Sequence, residues 1–289
     1  WAFFRQPGGV LRAGMTPEGR VHWQPNPDAE NLANLPDGYY ARGMAGKADD
    51  WIAVNLANEY GFALDGKAVH PEYIDHVHCA PQPLEPDRCY PLVVGIDFGR
   101  TPAAAICQYL AGIGRWVILD ELVTEDMSAA LFGPELKRKL DRDYSGIHVQ
   151  AWGDPAGDHA GQATEDTPIR LIQVAGIYCR PAPSNEPSLR RAAIALPATR
   201  LCIDGRPALI VSPKAKMIRK GLAGGFCYRR LKVAGDERYT DVPDKNVFSH
   251  CVEAAEYALL GGGEGRVALT PAPHLRRVRW EDLPTTAEM

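Results

Sequence analysis

Just after Pro91, apolar residues come first in short, nearly continuous runs rather than in helical stripes. Leu92 to Asp97, Ala103 to Leu110 and Trp116 to Leu122 each read as a strand, and the short Gly-containing turns between them predict an antiparallel meander. A helical pattern follows from about Ser128 to Leu140, then a strand from Ile147 to Gly153, then alternating helix and strand signals up to Ser212. A last helix, about Ser249 to Leu260, ends in Gly261-Gly262-Gly263. Strands first and alternating helices afterwards predict an α/β fold, a mixed sheet with helices on its faces.

The first 90 residues have a different texture. They are rich in Pro, Gly and Asn with few periodic runs, apart from a helix expected after Asp49-Asp50 that carries Trp51, Val54 and Tyr60 and ends at Gly61. Residues 1–90 therefore read as a linker or the tail of a preceding domain, 91–265 as the main domain, and the Pro- and Arg-containing stretch 266–289 as an extended tail. Because residue 1 is Trp, the chain is expected to begin inside a longer reading frame.

Composition narrows the class without naming it. A 289-residue chain that is 45% hydrophobic and 24% charged suits a soluble globular protein. No apolar run is long enough to cross a bilayer, and Trp1-Ala2-Phe3-Phe4-Arg5 lacks the order of a signal peptide, so neither a membrane nor a secreted setting is expected. The seven cysteines are scattered without a CxxC pair, as reduced thiols in a cytoplasm would be. His76, His78, Cys79 and Cys89 match neither structural zinc spacing and are read as unrelated. The net charge of −4 hides one strongly basic stretch. Residues 212–232 hold Lys214, Lys216, Arg219, Lys220, Arg229, Arg230 and Lys232 with no acid among them, and Phe226 and Tyr228 are interleaved.

The candidate chemistry lies at strand ends. Asp97 closes one apolar strand and Asp154 follows another, so parallel neighbouring strands would bring both carboxylates to one sheet edge, where sites form in such sheets. On the last helix His250 and Glu253 are three residues apart and share a face. Three converging carboxylates repel unless a hard cation lies between them, and oxygen ligands favour Mg²⁺ or Mn²⁺ over Zn²⁺. Each residue alone has a plainer reading: a turn for Asp154, a solvated helix face for Glu253, a satisfied histidine for His250, a solvated surface for the basic stretch. Asp120 and Glu121 on the third strand could point into the site, although a strand-end or surface role is the stronger reading.

The order and setting of these residues resemble a known family. Gly95-Ile96-Asp97-Phe98-Gly99 followed by Thr101-Pro102-Ala103-Ala104, then Trp152-Gly153-Asp154-Pro155-Ala156-Gly157-Asp158, then Lys245-Asn246-Val247-Phe248-Ser249-His250-Cys251-Val252-Glu253-Ala254-Ala255-Glu256-Tyr257 resemble the three acidic motifs of the nuclease domain in tailed-phage terminase large subunits. The last is the most specific, although that family more often carries Asp where Glu253 stands. Residues 36–62 resemble the end of the same family's motor domain. Gly43-Met44-Ala45-Gly46-Lys47-Ala48 is no phosphate loop, since it lacks the glycine spacing and the Ser or Thr after Lys.

The resemblance implies a ribonuclease H-like domain that cuts double-stranded DNA during packaging, in a host cytoplasm, with the small terminase subunit and the portal as partners. It implies two Mg²⁺ or Mn²⁺ ions bridged at Asp97, with Asp154 and Glu253 completing their shells, to activate water and stabilise the leaving 3′ oxygen. His250 would ligate, orient or shuttle a proton, and Asp158 is a lower-ranked ligand. The basic stretch would hold phosphates without reading bases.

Two rival readings remain at this point. Asp97-Phe98-Gly99-Arg100-Thr101 fits the phosphate loop of actin-like and sugar-kinase ATPases, but that fold needs two duplicated halves and no repeated motif occurs. A non-catalytic DNA-binding packaging module would make the basic stretch the functional part and the acids structural.

Overall fold

The structure, a computed structural model, describes residues 7–15, 21–47, 49–58, 66–99, 101–158, 166–231 and 238–264. In chain order these form β1 (Val10–Met15), β2 (Val21–Pro25), α1 (Tyr39–Met44), α2 (Asp49–Asn55), β3 (Gly66–Ala68), α3 (Asp75–His78), β4 (Leu92–Asp97), β5 (Ala103–Leu110) and β6 (Arg115–Val123). Then come α4 (Ala129–Asp143), β7 (Val149–Gly153), α5 (Pro168–Val174), β8 (Cys179–Pro181), α6 (Pro187–Thr199), β9 (Leu209–Val211), α7 (Lys216–Lys220), β10 (Cys227–Leu231), β11 (Arg238–Tyr239) and α8 (Val247–Leu259).

Six strands make the central sheet in the order β8-β7-β4-β5-β6-β9. The meander expected from the three apolar runs is present: β5 lies antiparallel between β4 and β6. β7 runs parallel to β4, β8 parallel to β7, and β9 parallel to β6. Every strand except β5 thus points the same way, so the carboxyl ends of β4 and β7 meet at one edge. An antiparallel three-strand meander extended by parallel strands and covered by helices on both faces is a ribonuclease H-like mixed sheet. Among the described residues there is one such sheet and no second copy of it.

Alternation along β4 sorts its side chains between two cores. Leu92, Val94 and Ile96 join the layer that contains Phe132, Leu136 and Leu140 of α4 and Ile169 and Ile172 of α5. Val93 faces the opposite layer, built from α6, α7 and α8 through Ile194, Ile218, Val252 and Ala255. Asp97 shares the parity of Val93 and Gly95 and so lies on the α8 side. At Gly95 an added Cβ would fall 1.8 Å from the Ala254 carbonyl oxygen and 2.5 Å from the Ala258 amide nitrogen. A glycine is therefore required for α8 to lie against the strand that carries Asp97.

The N-terminal part holds more structure than its composition suggests. β1 and β2 pair antiparallel, and Val10 and Trp23 bury themselves against Ile52, Ala53 and Ala57 of the α2 region. These strands alternate weakly and are mostly exposed, which leaves little hydrophobic signal in the sequence. α2 covers Asp49–Asn55, while Tyr60 and Gly61, the expected end of that helix, lie outside the described residues. Downstream, β3 pairs with β10, and β10 with β11, in a second small sheet. No helix among the described residues is long and apolar enough to cross a membrane.

Candidate metal centre

The site is assembled from the end of β4 and the start of α8. α8 begins with a capping box: Asn246 Oδ1 accepts from the amides of Phe248 and Ser249 at 2.9 and 3.1 Å, and Ser249 Oγ accepts from the Asn246 amide at 3.1 Å. This fixes the first turn, so that His250 and Glu253, one turn apart, face the sheet edge together. Asn246 and Ser249 of the third motif thus serve the helix start, a role that their place in the sequence does not announce.

Asp97, His250 and Glu253 each present a ligand atom within 4.8 Å of the others, and this is the one such group of three among the described residues. Asp97 and Glu253 are buried at 6% and 3% exposure. Nδ1 of His250 lies 2.7 Å from Oδ2 of Asp97. Burial raises the Asp97 pKa, with the Glu253 charge adding to it, while the bond to His250 and the charge of Lys245 pull the other way. The bond to Asp97 raises the His250 pKa against partial burial. Two buried carboxylates and one imidazole, close enough to share an ion and strained by mutual repulsion, form a donor set that suits a hard divalent cation.

Asp154 stands at the same edge but outside this group. Its amide donates to the Ile96 carbonyl at 2.9 Å, which sets it directly beside the end of β4, and its Oδ1 accepts from the Ala156 amide at 2.9 Å. It lines a cleft of ≈280 Å³ together with Phe98, Gly99, Pro102 and Pro168. Glycines at 153 and 157 leave room for the Phe98 ring, which a Cβ at either would approach to 2.6 or 2.3 Å. The backbone of Asp158 closes the short turn Pro155–Asp158, and its side chain lies outside the described residues.

A buried polar network, not foreseen from the sequence, supports the centre from behind. Arg190 on α6 donates through Nη2 to Oε1 of Glu253 at 3.3 Å and through Nη1 to the Tyr257 hydroxyl at 3.0 Å, with Oε2 of Glu256 at 3.7 Å. Its guanidinium carbon sits 5.0 Å from the Tyr257 ring centroid. The Tyr257 hydroxyl donates to Asn185 Oδ1 at 2.7 Å. Burial pushes the Tyr257 phenol above its ordinary value, and the carboxylates of Asp154 and Asp97 add to the rise against the pull of Arg190. Glu256 bonds His70 at 2.9 Å, both nearly sealed from solvent. Glu253, not Glu256, is therefore the acid of α8 that faces Asp97. Oε2 of Glu253 accepts from the ammonium of Lys245.

Asp120 and Glu121 stay out of the centre. Glu121 accepts from the Met217 and Ile218 amides at 2.7 and 2.8 Å at the start of α7, and Asp120 pairs with Lys139 at 2.6 Å.

The basic stretch is divided by its surroundings. Lys214 pairs with Glu85 at 3.0 Å, and Arg219 makes two bonds to Asp75 at 2.7 and 2.6 Å. Both acids come from outside the stretch, so its freedom from acids in sequence does not carry over to space. Lys216 and Lys220 are exposed on α7, and Arg229 and Arg230 are exposed on β10. Lys232 lies outside the described residues.

No protein-family model matches this chain, and no curated protein matches it. Among solved structures it is similar to the large terminase of a thermophilic bacteriophage, at 14% identity and a TM-score of 0.48, over 78% of this chain and 52% of that one. The chain thus spans about half the length of that terminase. It is also similar to the nuclease domain of the P22 large terminase, at 11% identity and a TM-score of 0.48, covering 67% of this chain and 91% of that one. A third similar structure is the large terminase nuclease domain of bacteriophage SPP1 with bound Mn, at 19% identity and a TM-score of 0.39, covering 63% and 94%.

Proposed function

We propose that this chain is a divalent-metal-dependent endonuclease that cuts double-stranded DNA, the nuclease part of a phage terminase large subunit. The observation that carries the reading is the grouping of Asp97, His250 and Glu253 within 4.8 Å at the edge of a ribonuclease H-like sheet. The terminase part of the reading is supported by the three acidic motifs in the sequence.

Asp97, Glu253 and His250 would hold Mg²⁺ or Mn²⁺, and Asp154, beside them at the strand ends, would complete a two-ion arrangement. Bound there, the ions supply water activation and charge neutralisation at the departing 3′ oxygen. The rest is done by the chain. Asp97 fixes the ring of His250 through Nδ1, which leaves Nε2 as ligand or proton carrier. Arg190 holds one oxygen of Glu253, and Tyr257 and Asn185 hold Arg190 and its surroundings in place. Arg229, Arg230, Lys216, Lys220 and, beyond the described residues, Lys232 would take phosphates of the DNA backbone without reading bases. Lys214 and Arg219 are weaker contributors because Glu85 and Asp75 already neutralise them. DNA concatemers as substrate, and contacts with a small terminase subunit and a portal, follow from the family resemblance.

Incubation of supercoiled plasmid with Mn²⁺, with Mg²⁺ and with EDTA tests the proposal. Nicked or linear product is expected with either ion and none in chelator, and Asp97→Asn should abolish it with the fold intact. Cleavage that persists in EDTA, or in the Asp97 variant, overturns it.

A further inference from the structure

The two oxygens of Glu253 are held by two very different cations. Oε1 is on Arg190, whose side chain is 11% exposed, and whose guanidinium is fixed by Tyr257, by the ring beneath it and by the nearby Glu256. Oε2 is on Lys245, whose side chain is 60% exposed and which reaches in from the residue before the helix cap. Arg190 is multiply anchored and planar, so its bond to Oε1 is a fixed support. The Lys245 ammonium ends a flexible, solvated stem anchored at Glu253, so it leaves cheaply.

A buried carboxylate cannot be left without a counter-charge, and Glu253 shares its surroundings with Asp97 and Glu256, both also buried. Of the two cations on Glu253, Lys245 is the solvent-exposed one. When a divalent ion binds, the oxygen that Lys245 holds is needed as a ligand. We propose that Lys245 is an exchangeable internal cation of the metal centre: its ammonium caps Oε2 of Glu253 when the ion is absent and yields that oxygen when the ion binds, while Arg190 keeps Oε1 and holds the carboxylate in aim. This rests on the metal reading of Asp97, His250 and Glu253. The released ammonium then stands at the mouth of the site, where a DNA phosphate would meet it, so ion binding and backbone binding become linked through one side chain.

Two measurements on the full chain test this, neither of them cleavage. In Mn²⁺ titrations followed by calorimetry, Lys245→Met is expected to bind the ion about fivefold more tightly than wild type, the equivalent of one ion pair, exposed on its lysine side, no longer to be broken. In wild type, amine acylation read by mass spectrometry should modify Lys245 faster when Mn²⁺ is present, while Lys137, paired with Asp141 on α4, changes little. Equal or weaker Mn²⁺ binding by Lys245→Met, or Lys245 labelling indifferent to Mn²⁺, overturns the inference and leaves the metal centre standing. A wild-type chain that binds no Mn²⁺, or binds it as well after Glu253→Gln, removes the metal reading and this inference together.

Discussion

His250 Nδ1 and Asp97 Oδ2 meet at 2.7 Å across the junction of sheet and helix, with Asp97 buried and His250 at the rim. The pair binds a proton more tightly than either group would alone: burial lifts the carboxyl above its ordinary value, and the bond to Asp97 lifts the imidazole above 6.5. For His250, a raised folded pKa means its stabilisation is complete below the unfolded value and is lost as pH rises through the folded one. For Asp97 the sign is the same, because an acid whose ionised form the fold disfavours costs stability once it ionises. The metal-free chain should therefore melt lower as pH rises past 6.5. Mn²⁺ competes with that proton, so the gain in melting temperature on adding Mn²⁺ should widen over the same interval and level off above the raised His250 value. Melting curves with and without Mn²⁺ across neutral pH check both trends, and a gap independent of pH would detach His250 from the ion.

Glu253 and Glu256 lie one turn apart on α8 and are expected to fail differently. Glu253→Gln should lose cleavage and the Mn²⁺-induced rise in melting temperature; in the apo chain Arg190 and Lys245 lose a charged acceptor, a cost that the relief of repulsion with Asp97 partly offsets. Glu256→Gln should keep Mn²⁺ binding but lose about 1–3 kcal/mol of stability, because His70 and Arg190 are buried around it and lose a charged acceptor. Chemical denaturation beside Mn²⁺ titration of both variants decides the matter. The reverse pattern would move the third ligand one turn along the helix.

How far these roles were legible in the sequence depends on the range of the interaction. Leu92–Asp97 and Ala103–Leu110 are almost wholly apolar, with Gln108 the one polar residue inside the second, and the strands β4 and β5 have those bounds, because burial on both faces leaves few polar positions to blur the signal. Asp97, His250 and Glu253 were readable as candidates because strand ends and a three-residue helical spacing are local properties. Arg190 was not, since nothing near Pro187 announces that α6 packs on α8 and delivers a guanidinium to Glu253. The basic stretch misled in the same way: its local charge was plain, but the partners Asp75 and Glu85 are 144 and 129 residues away in sequence.

Gly95 sets the distance between the two elements of the site. Any side chain there meets the Ala254 carbonyl at 1.8 Å, and backbone of a buried helix cannot shift as a surface side chain can. Gly95→Ala should destabilise the fold by at least about 3 kcal/mol, at the upper end of overpacking costs. Any folded fraction should have α8 pushed from β4 and hence weaker Mn²⁺ binding, with Asp97 and Glu253 both intact. Denaturation midpoints and Mn²⁺ titration of the variant check this. A Gly95→Ala chain of ordinary stability and metal affinity would show that the close approach of α8 is not what positions Glu253.

Arg219 and Arg229 have the same charge and sit in one stretch of sequence, yet their surroundings differ. Arg219 is tied by two bonds to Asp75, and although burial opposes ionisation of that carboxyl, the bonds and charge of Arg219 hold its pKa below the ordinary 3.8. Arg219→Gln should cost no more than about 1 kcal/mol, since both side chains are more than a third exposed and water screens them. Asp75 contributes its share above the unfolded value and loses it as pH falls through the depressed folded one. The stability gap between wild type and Arg219→Gln should therefore close in acid. Salt dependence of DNA binding should hardly change, because a guanidinium already paired releases few counterions from DNA. Arg229 is exposed on β10, and replacing it with Gln should leave stability nearly unaltered. The slope of log affinity against log salt should flatten by about 0.9 for the phosphate no longer neutralised, and equally for unrelated DNA sequences. Binding titrations at several salt concentrations, run beside thermal melts, separate the two roles. If Arg219→Gln flattens the slope and Arg229→Gln does not, the two residues have exchanged the roles assigned to them.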